Sequence, residues 1–476
     1  MDEPVTDRAS APPEAEALTA KIPPLTRRLL SGGAWALAGK VLTAGAGVAI
    51  SVLLTRLLPP TEVGAYFLAL SLATVAGLIA RAGLEKTVLQ MVAESLGRDD
   101  PSRARGVVHR VFAVALITIG LTGLLIGLGG GRWLATELFS SASMARLDGL
   151  LGVWTAYLGL EILFAETFRG FHDIPRASLF GGAISRTLSA LTFLTLLLWR
   201  GGAALDTVVL VTVVCGGASL LMAWAALGRK LSGLSGRQAS SVPTASVLGA
   251  TWPLMISNVT LFFMGQADLW ILGAFRPDQE VAIYGVSVRL VLLVGVSLTI
   301  VNAVLPPMIG ELYAEQKRER MERIIRTTAS VAAAPSVVLL TAFIVFGGPI
   351  LNLAFGSFYR DGALILALLS IGQLVNVWVG SCGYTLIMTG HQRELMWSAL
   401  LSGSISVIGG LATVKSLGAV GVATSVALGT IVQQLLMLTL ARKRCGVWTH
   451  ASPALVIGPA RQLIRSLRDA RRGSHD

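Results

Sequence analysis

Apolar residues run along this chain in stretches of about 20, separated by short polar loops, from residue 31 to residue 441. A helical run of that length crosses ~30 Å of hydrocarbon. The period-two alternation that would mark a membrane barrel is absent. Twelve spans are expected, at 31–55, 62–82, 107–130, 147–168, 176–198, 205–227, 248–272, 281–303, 327–350, 362–388, 394–414 and 418–441. The pattern also repeats. Pro60-Thr61-Glu62-Val63-Gly64-Ala65-Tyr66 returns about 217 residues later, with one extra residue, as Pro277-Asp278-Gln279-Glu280-Val281-Ala282-Ile283-Tyr284. At an offset of 217 Trp35 falls on Trp252, Met91 on Met308 and Glu94 on Glu311. Six spans per half is an even number, so both copies enter the membrane in the same orientation. The fold class expected is therefore an all-α polytopic membrane protein, with about 12 transmembrane helices in two parallel six-helix lobes.

The polar punctuation divides the chain further. Residues 1–30 read as a disordered tail without a signal-peptide core, 31–230 as the first lobe and 231–247 as a linker. The second lobe is expected at 248–441 and a basic tail at 442–476, where Arg461, Arg465, Arg468 and Arg472 share one helical face suited to anionic lipid. Glu311 to Arg326 is expected to lie along the membrane surface. Gly129-Gly130-Gly131 before Arg132-Trp133 reads as a helix stop with interfacial anchors. Trp252-Pro253, Pro306-Pro307 and Pro335 are expected to kink spans 7 to 9. The Gly-His turns at 170 and 390 read as tight connections between helices.

Composition agrees: mean hydropathy is +0.69 and only 14% of residues are charged, against roughly 25% in soluble domains. The net charge of +12 would suit nucleic acid, but its placement argues for topology instead. Of the 39 Lys and Arg, the loops on one side hold only Arg56, Arg132, Arg146, Arg200, Arg276, Arg360 and Lys415. By the positive-inside rule both termini are then cytoplasmic, and the address is the cell membrane. The cysteines, Cys215, Cys382 and Cys445, have no metal or disulfide spacing. Metalloprotease, nucleotide-binding and dinucleotide motifs are absent, so neither an enzyme nor a bound cofactor is expected.

Charge inside the hydrocarbon carries the chemistry, because each such group costs at least ~2.5–3.5 kcal/mol at the midplane. Lys40, Arg186 and Arg289 each fall near the bilayer centre, as does Glu161; Asp268 falls nearer the outer face. Three cations against one central acid suit an anion, and Arg forks onto phosphate oxygens. The competing structural reading pairs Glu161 with Arg186. Glu161 and Asp268 are equally candidates for a coupling H⁺ or Na⁺. Asn258, Gln266, Asn302, Gln373 and Asn376 are candidate polar lining, or simply bonds between helices. The repeat sets Lys40 on Ser257, Asp268 on Ser51 and Arg289 on Ser71, polar in both halves and charged in one.

The first hairpin, Leu54-Thr55-Arg56-Leu57-Leu58-Pro59-Pro60-Thr61-Glu62-Val63-Gly64-Ala65-Tyr66, its continuation Arg81-Ala82-Gly83-Leu84-Glu85, and the last hairpin, Leu417-Gly418-Ala419-Val420-Gly421-Val422-Ala423-Thr424-Ser425, carry a resemblance. Over about 30–440 the chain resembles the polysaccharide-exporter branch, the Wzx-type lipid-linked oligosaccharide flippases, of the multidrug/oligosaccharidyl-lipid/polysaccharide superfamily. The resemblance implies two lobes in a V that open alternately to the two sides, and a polyprenyl-diphosphate-linked glycan moved between leaflets. It implies a cationic cavity, for which Lys40, Arg186 and Arg289 are this chain's candidates. Polysaccharide polymerase or assembly proteins are the partners it suggests. A cation-coupled multidrug or small-molecule antiporter and a peptidoglycan-precursor flippase are the alternatives within the superfamily. The latter usually carries two further helices.

Overall fold

The computed structural model describes residues 25–233, Pro243 and 266–452. It is helical throughout, and its exterior is apolar: Leu128, Leu198, Trp199, Leu221 and Leu353 are each more than 70% exposed. Only a lipid-facing surface tolerates that.

The first half runs α1 (Leu25–Leu57), α2 (Pro60–Arg81), α3 (Leu84–Gly97), α4 (Pro101–Leu138), α5 (Asp148–Gly170), α6 (Ile174–Arg200) and α7 (Leu205–Ser232). The second half runs α8 (266–275), α9 (Asp278–Ala314), α10 (Arg318–Phe355), α11 (Ala363–Val379), α12 (Cys382–Met388) and α13 (Gln392–Cys445). Ten of these elements are long and apolar enough to cross a membrane. The 54-residue α13 covers two expected spans, since Gly418 inside it is non-helical (φ 57°, ψ −138°). The seventh expected span is described only from Gln266. The architecture is that of a multi-pass membrane protein of about 12 helices in two lobes.

Several local expectations are corrected. The third span does break at Gly129–Gly131, where Leu128 and Gly129 leave helical geometry (φ −94° and 121°), but a further short helical stretch follows to Leu138. Glu311–Arg326 is no separate surface helix: α9 runs to Ala314, Gln316 turns the chain with φ 59°, and α10 starts at Arg318. Only the first half breaks here, at Ala82-Gly83 (φ 51° and 86°), which frees α3 with Leu84, Val88 and Val92 buried on one face. Pro306-Pro307 and Pro335 lie in continuous helix. The break in α10 is at Phe346, three residues before Pro349, where the proline ring disturbs the preceding turn. The span expected over 362–388 is interrupted at Gly380. The first helix begins at Leu25, within the expected tail. Trp252-Pro253, most of 231–247 and the arginine-rich face at 461–472 lie outside the described residues.

The two halves meet along α2 and α9. These are the most buried spans, 83% for Pro60–Arg81 and 61% for Asp278–Asn302 over their most apolar windows. The twin Pro caps, Pro59 and Pro277, have the same backbone angles (φ −65°, ψ 154°), so the hairpins start alike. Where the helices cross, the Phe67 ring lies against Gly285, its own repeat counterpart, which puts the pseudo-twofold axis at that contact. At the hairpin end the seam is closed. Ser141 Oγ donates to Asp278 Oδ2 (2.6 Å) and the Arg56 guanidinium to the Leu353 carbonyl (2.9 Å). A β-carbon on Gly64 would collide with the Asp278 carbonyl.

At the opposite, loop end of the first half, Asp173 caps α6 through the Arg176 amide and takes a 2.8 Å bond from Lys230 Nζ. Burial would raise this carboxyl, but Lys230 and then Arg176 outweigh it and hold it below the ordinary range. A depressed carboxylate stabilises the fold above the unfolded pKa of ~3.9 and loses that contribution as pH falls through its folded value. Asp173→Asn should therefore melt below wild type at neutral pH, with the gap closing as the pH drops below about 4; thermal melts in detergent across pH measure it. At the seam, an added methyl costs about 1–3 kcal/mol in packed surroundings. Gly64→Ala should accordingly lower the yield of a Ser141→Cys/Asp278→Cys crosslink, read on gels.

Candidate functional site

The polar residues of the seam sit where α2, α5, α6, α8 and α9 converge. Arg289 emerges from α9 one turn past Gly285 and crosses to the first half, its guanidinium carbon 5.7 Å from the Phe67 ring centroid. Its repeat counterpart, Ser71, makes the reciprocal crossing: Ser71 Oγ donates to Gln266 Oε1 (2.9 Å) and accepts from Trp270 Nε1 (3.0 Å). The two equivalent positions thus each reach into the opposite half.

Arg186 approaches the same region from α6. It follows a π-turn over Leu179–Ala183 in which Gly182 has φ 112°, a conformation that side chains other than Gly resist. A β-carbon there would also lie 3.2 Å from the Arg186 guanidinium carbon. The Gly181-Gly182 pair is the signal that span-level reading of the sequence passed over: it breaks the helix directly before Arg186. Arg186 and Arg289 act on each other electrostatically, and both act on Tyr66 between them. Tyr66 is 4% exposed, its ring 5.3 Å from that of Trp154. Among the described residues neither arginine has an ion-pair partner. Two like charges thus share one neighbourhood with no carboxylate in salt-bridge contact with either among the described residues, although Arg186 also acts on Tyr157, which bonds Glu161. Such an arrangement favours an anion.

The Glu161–Arg186 salt bridge of the competing structural reading is not formed among the described residues. Glu161 is 3% exposed and its Oε1 accepts from Tyr157 (2.8 Å) and Ser185 (2.5 Å). Hydroxyls hold the carboxyl because Tyr157 lies one turn before it and Ser185 projects from the facing helix, while the π-turn directs Arg186 elsewhere. Asp268 is likewise held without a cation: Tyr284, fully buried, donates to its Oδ2 (2.7 Å), and the Leu269 amide to Oδ1 (2.9 Å).

Lys40 does not join the arginines. It is exposed on α1, beside Gly39, which faces Ser178, and its electrostatic neighbour is Arg169 at the loop end. Gly39 packs on Ser178, near the start of α6, so this part of α1 lies toward the loop end and counting depth from residue 31 placed the lysine too deep. Asn302 accepts from Ser381 (2.5 Å) at the α11–α12 break, and Gln373 accepts from Asn376 (3.4 Å) and abuts Gly295. Both belong to the interior of the second half. Asn258 and Ser257 lie outside the described residues.

Paired lobes about a pseudo-twofold, with buried charge at their seam, agree with the family matches, which place the chain among the transporters of the multidrug/oligosaccharidyl-lipid/polysaccharide (MOP) superfamily. Within it the chain belongs to the polysaccharide biosynthesis protein family, whose model matches residues 29–313. A MatE family model also matches residues 253–388. Among solved structures, the fold is similar to an inward-facing multidrug resistance MATE family transporter of the MOP superfamily (TM-score 0.69, 16% identity, 85% of this chain and 94% of that one). It is also similar to the lipid II flippase MurJ in an inward closed conformation (TM-score 0.66, 14% identity, 85% and 87% coverage). A curated relative, the uncharacterized transporter YisQ of Bacillus subtilis (strain 168), is 25% identical over 212 residues. That match spans 42% of this chain and 46% of the relative, about half its length.

Replacing Gly182 with Ala combines a strained φ, about 1–2 kcal/mol, with displacement of the guanidinium. Gly182→Ala should weaken binding of an anionic substrate about as much as Arg186→Ala while the fold melts within a few degrees of wild type. Binding isotherms and thermal melts on the purified protein test this together.

Proposed function

We propose that this protein flips a polyprenyl-diphosphate-linked oligosaccharide, an O-antigen, capsule or exopolysaccharide precursor, from the inner to the outer leaflet of the cell membrane by alternating access. The observation that carries the reading is the pair Arg186 and Arg289 at the seam, close enough to repel and without a carboxylate between them among the described residues. A diphosphate matches both guanidinium groups at once and relieves their repulsion. The lipid tail stays in the bilayer while the lobes rock about the seam. Lys40, exposed at the loop end beside Arg169, meets the diphosphate before it reaches the arginines. Gln266 and the hydroxyl of Ser71 stand ready for sugar hydroxyls. Family membership supports the polysaccharide class, and the likeness to a lipid II flippase supports a lipid-linked substrate.

The basic loops favour termini on the cytoplasmic side; the closed hairpin end then faces outward, and the arginines are reached from the cytoplasm. Glu161 and Asp268, both held by neutral hydroxyls, are the positions at which H⁺ or Na⁺ would couple to the cycle. A second reading, cation-coupled export of small molecules, is favoured by the MatE match over 253–388 and by the multidrug structures. It has to place cationic cargo against two arginines.

The test is reconstitution in liposomes with a fluorescent polyprenyl-diphosphate glycan. Wild type should move the probe between leaflets, and the Arg186→Ala/Arg289→Ala double variant should lose at least about tenfold in rate, the equivalent of ~1.4 kcal/mol. Drug efflux driven by a proton gradient, with no movement of the glycan, would overturn the proposal in favour of the second reading.

A further inference from the structure

The repeated hairpin motif performs one identical act in each half. In the first half, Glu62 Oε2 accepts from the backbone amide of Leu205 at 3.0 Å. Leu205 is the first residue of α7, and its cap residue, Ala204, has no side chain able to cap it. In the second half, Glu280 Oε1 accepts from the amide of Ala419 at 2.5 Å. Ala419 opens the helical stretch that follows the non-helical Gly418. Glu62 and Glu280 are repeat counterparts, and the helices they cap are the sixth spans of their halves.

Each carboxylate is also gripped by an arginine. Arg146 reaches Glu62 at 2.8 Å from the loop between α4 and α5. Arg276 reaches Glu280 at 2.6 Å from the residue just before Pro277. In the second half the fit extends to Gly418, where an added β-carbon would run into Glu280 Oε1. The hairpin at Pro277 and the last hairpin, far apart in sequence, therefore meet through one carboxylate.

We infer that Glu62 and Glu280 are positioning residues for transport: each pins the hairpin leading into α2 or α9 to the last helix of its own half, so that each half moves as one body. A helix N-terminus has free amides and partial positive charge, so an anion donated by another helix is a strong, short-range tie. The contacts at the hairpin end then fall into two sets. Glu62–Leu205 and Glu280–Ala419 lie within a half and persist when the seam opens. Ser141–Asp278 and Arg56–Leu353 join the halves and must break. Without the pins, opening the seam would bend α2 or α9 away from its lobe, and the motion would not carry Arg289 and its surroundings with it. This inference rests on the transporter fold and not on the glycan.

Hydrogen–deuterium exchange on the full-length protein in nanodiscs, with Ala and Gln variants at both positions, tests it. Glu62→Ala should raise exchange about tenfold at residues 205–209 and leave 419–423 unchanged, and Glu280→Ala the reverse, the scale expected of a lost cap. Gln retains an accepting carbonyl oxygen and should restore protection to within about threefold. With the polyprenyl-diphosphate probe, turnover of the Ala variants should fall about tenfold at an unchanged half-saturating concentration, since nothing at the arginines has moved. Unchanged exchange at the two helix starts, an even rise over both halves, or a loss confined to substrate affinity would each overturn the inference. The exchange measurement needs no substrate, so failure of the glycan reading leaves it standing.

Discussion

The crossing of α2 over α9 governs the rest of this molecule. Phe67 lies against Gly285 on the pseudo-twofold axis, and only the missing side chain at 285 lets two membrane helices approach so closely. An exact duplication would set two copies of one residue face to face at such a contact; here the pair has diverged into a large ring and no side chain at all. From that point symmetry sends equivalent positions into opposite halves. Ser71 reaches Gln266 and Trp270, and Arg289 reaches Phe67. Divergence at 71 and 289 therefore changes the polar groups at the seam without changing the scaffold.

Three kinds of polar contact have to be separated to read the site. Some hold a half together, as Glu62 does at the start of α7. Others close the seam, as Ser141 does on Asp278. The rest hold charge without neutralising it. Glu161 and Asp268 rest on tyrosine and serine hydroxyls, and Arg186 and Arg289 rest on aromatic and glycine surfaces. Charged groups so held keep their response to a ligand or a proton, whereas a Glu–Arg pair would have satisfied both and left neither to act.

Much of the architecture was legible in the linear chain. Span length follows from hydrocarbon thickness, and parallel halves follow from an even span count. The misses came where backbone geometry departed from a straight helix. Gly129–Gly131 does break the helix, at Leu128 and Gly129, but the glycines did not reveal the short helical stretch that follows to Leu138. Pro335 read as a kink, yet the bend lies at Phe346, where Pro349 disturbs the turn before it.

Candidate residues were recognised by a rule that needs no structure, namely that charge in hydrocarbon is costly. That rule selects Lys40, Arg186, Arg289, Glu161 and Asp268 together, and cannot say which of them meet. The sequence by itself determined a duplicated, membrane-spanning, cation-rich chain, because hydropathy and repeat spacing are one-dimensional properties. Only the tertiary structure decided that Arg186 and Arg289 share the seam, that Lys40 lies apart beside Arg169, and that Glu161 turns to Tyr157 and Ser185 and not to Arg186. The break at Gly181-Gly182 and the packing of Gly39 on Ser178 set those directions, and a side chain's direction is what helix packing alone can resolve.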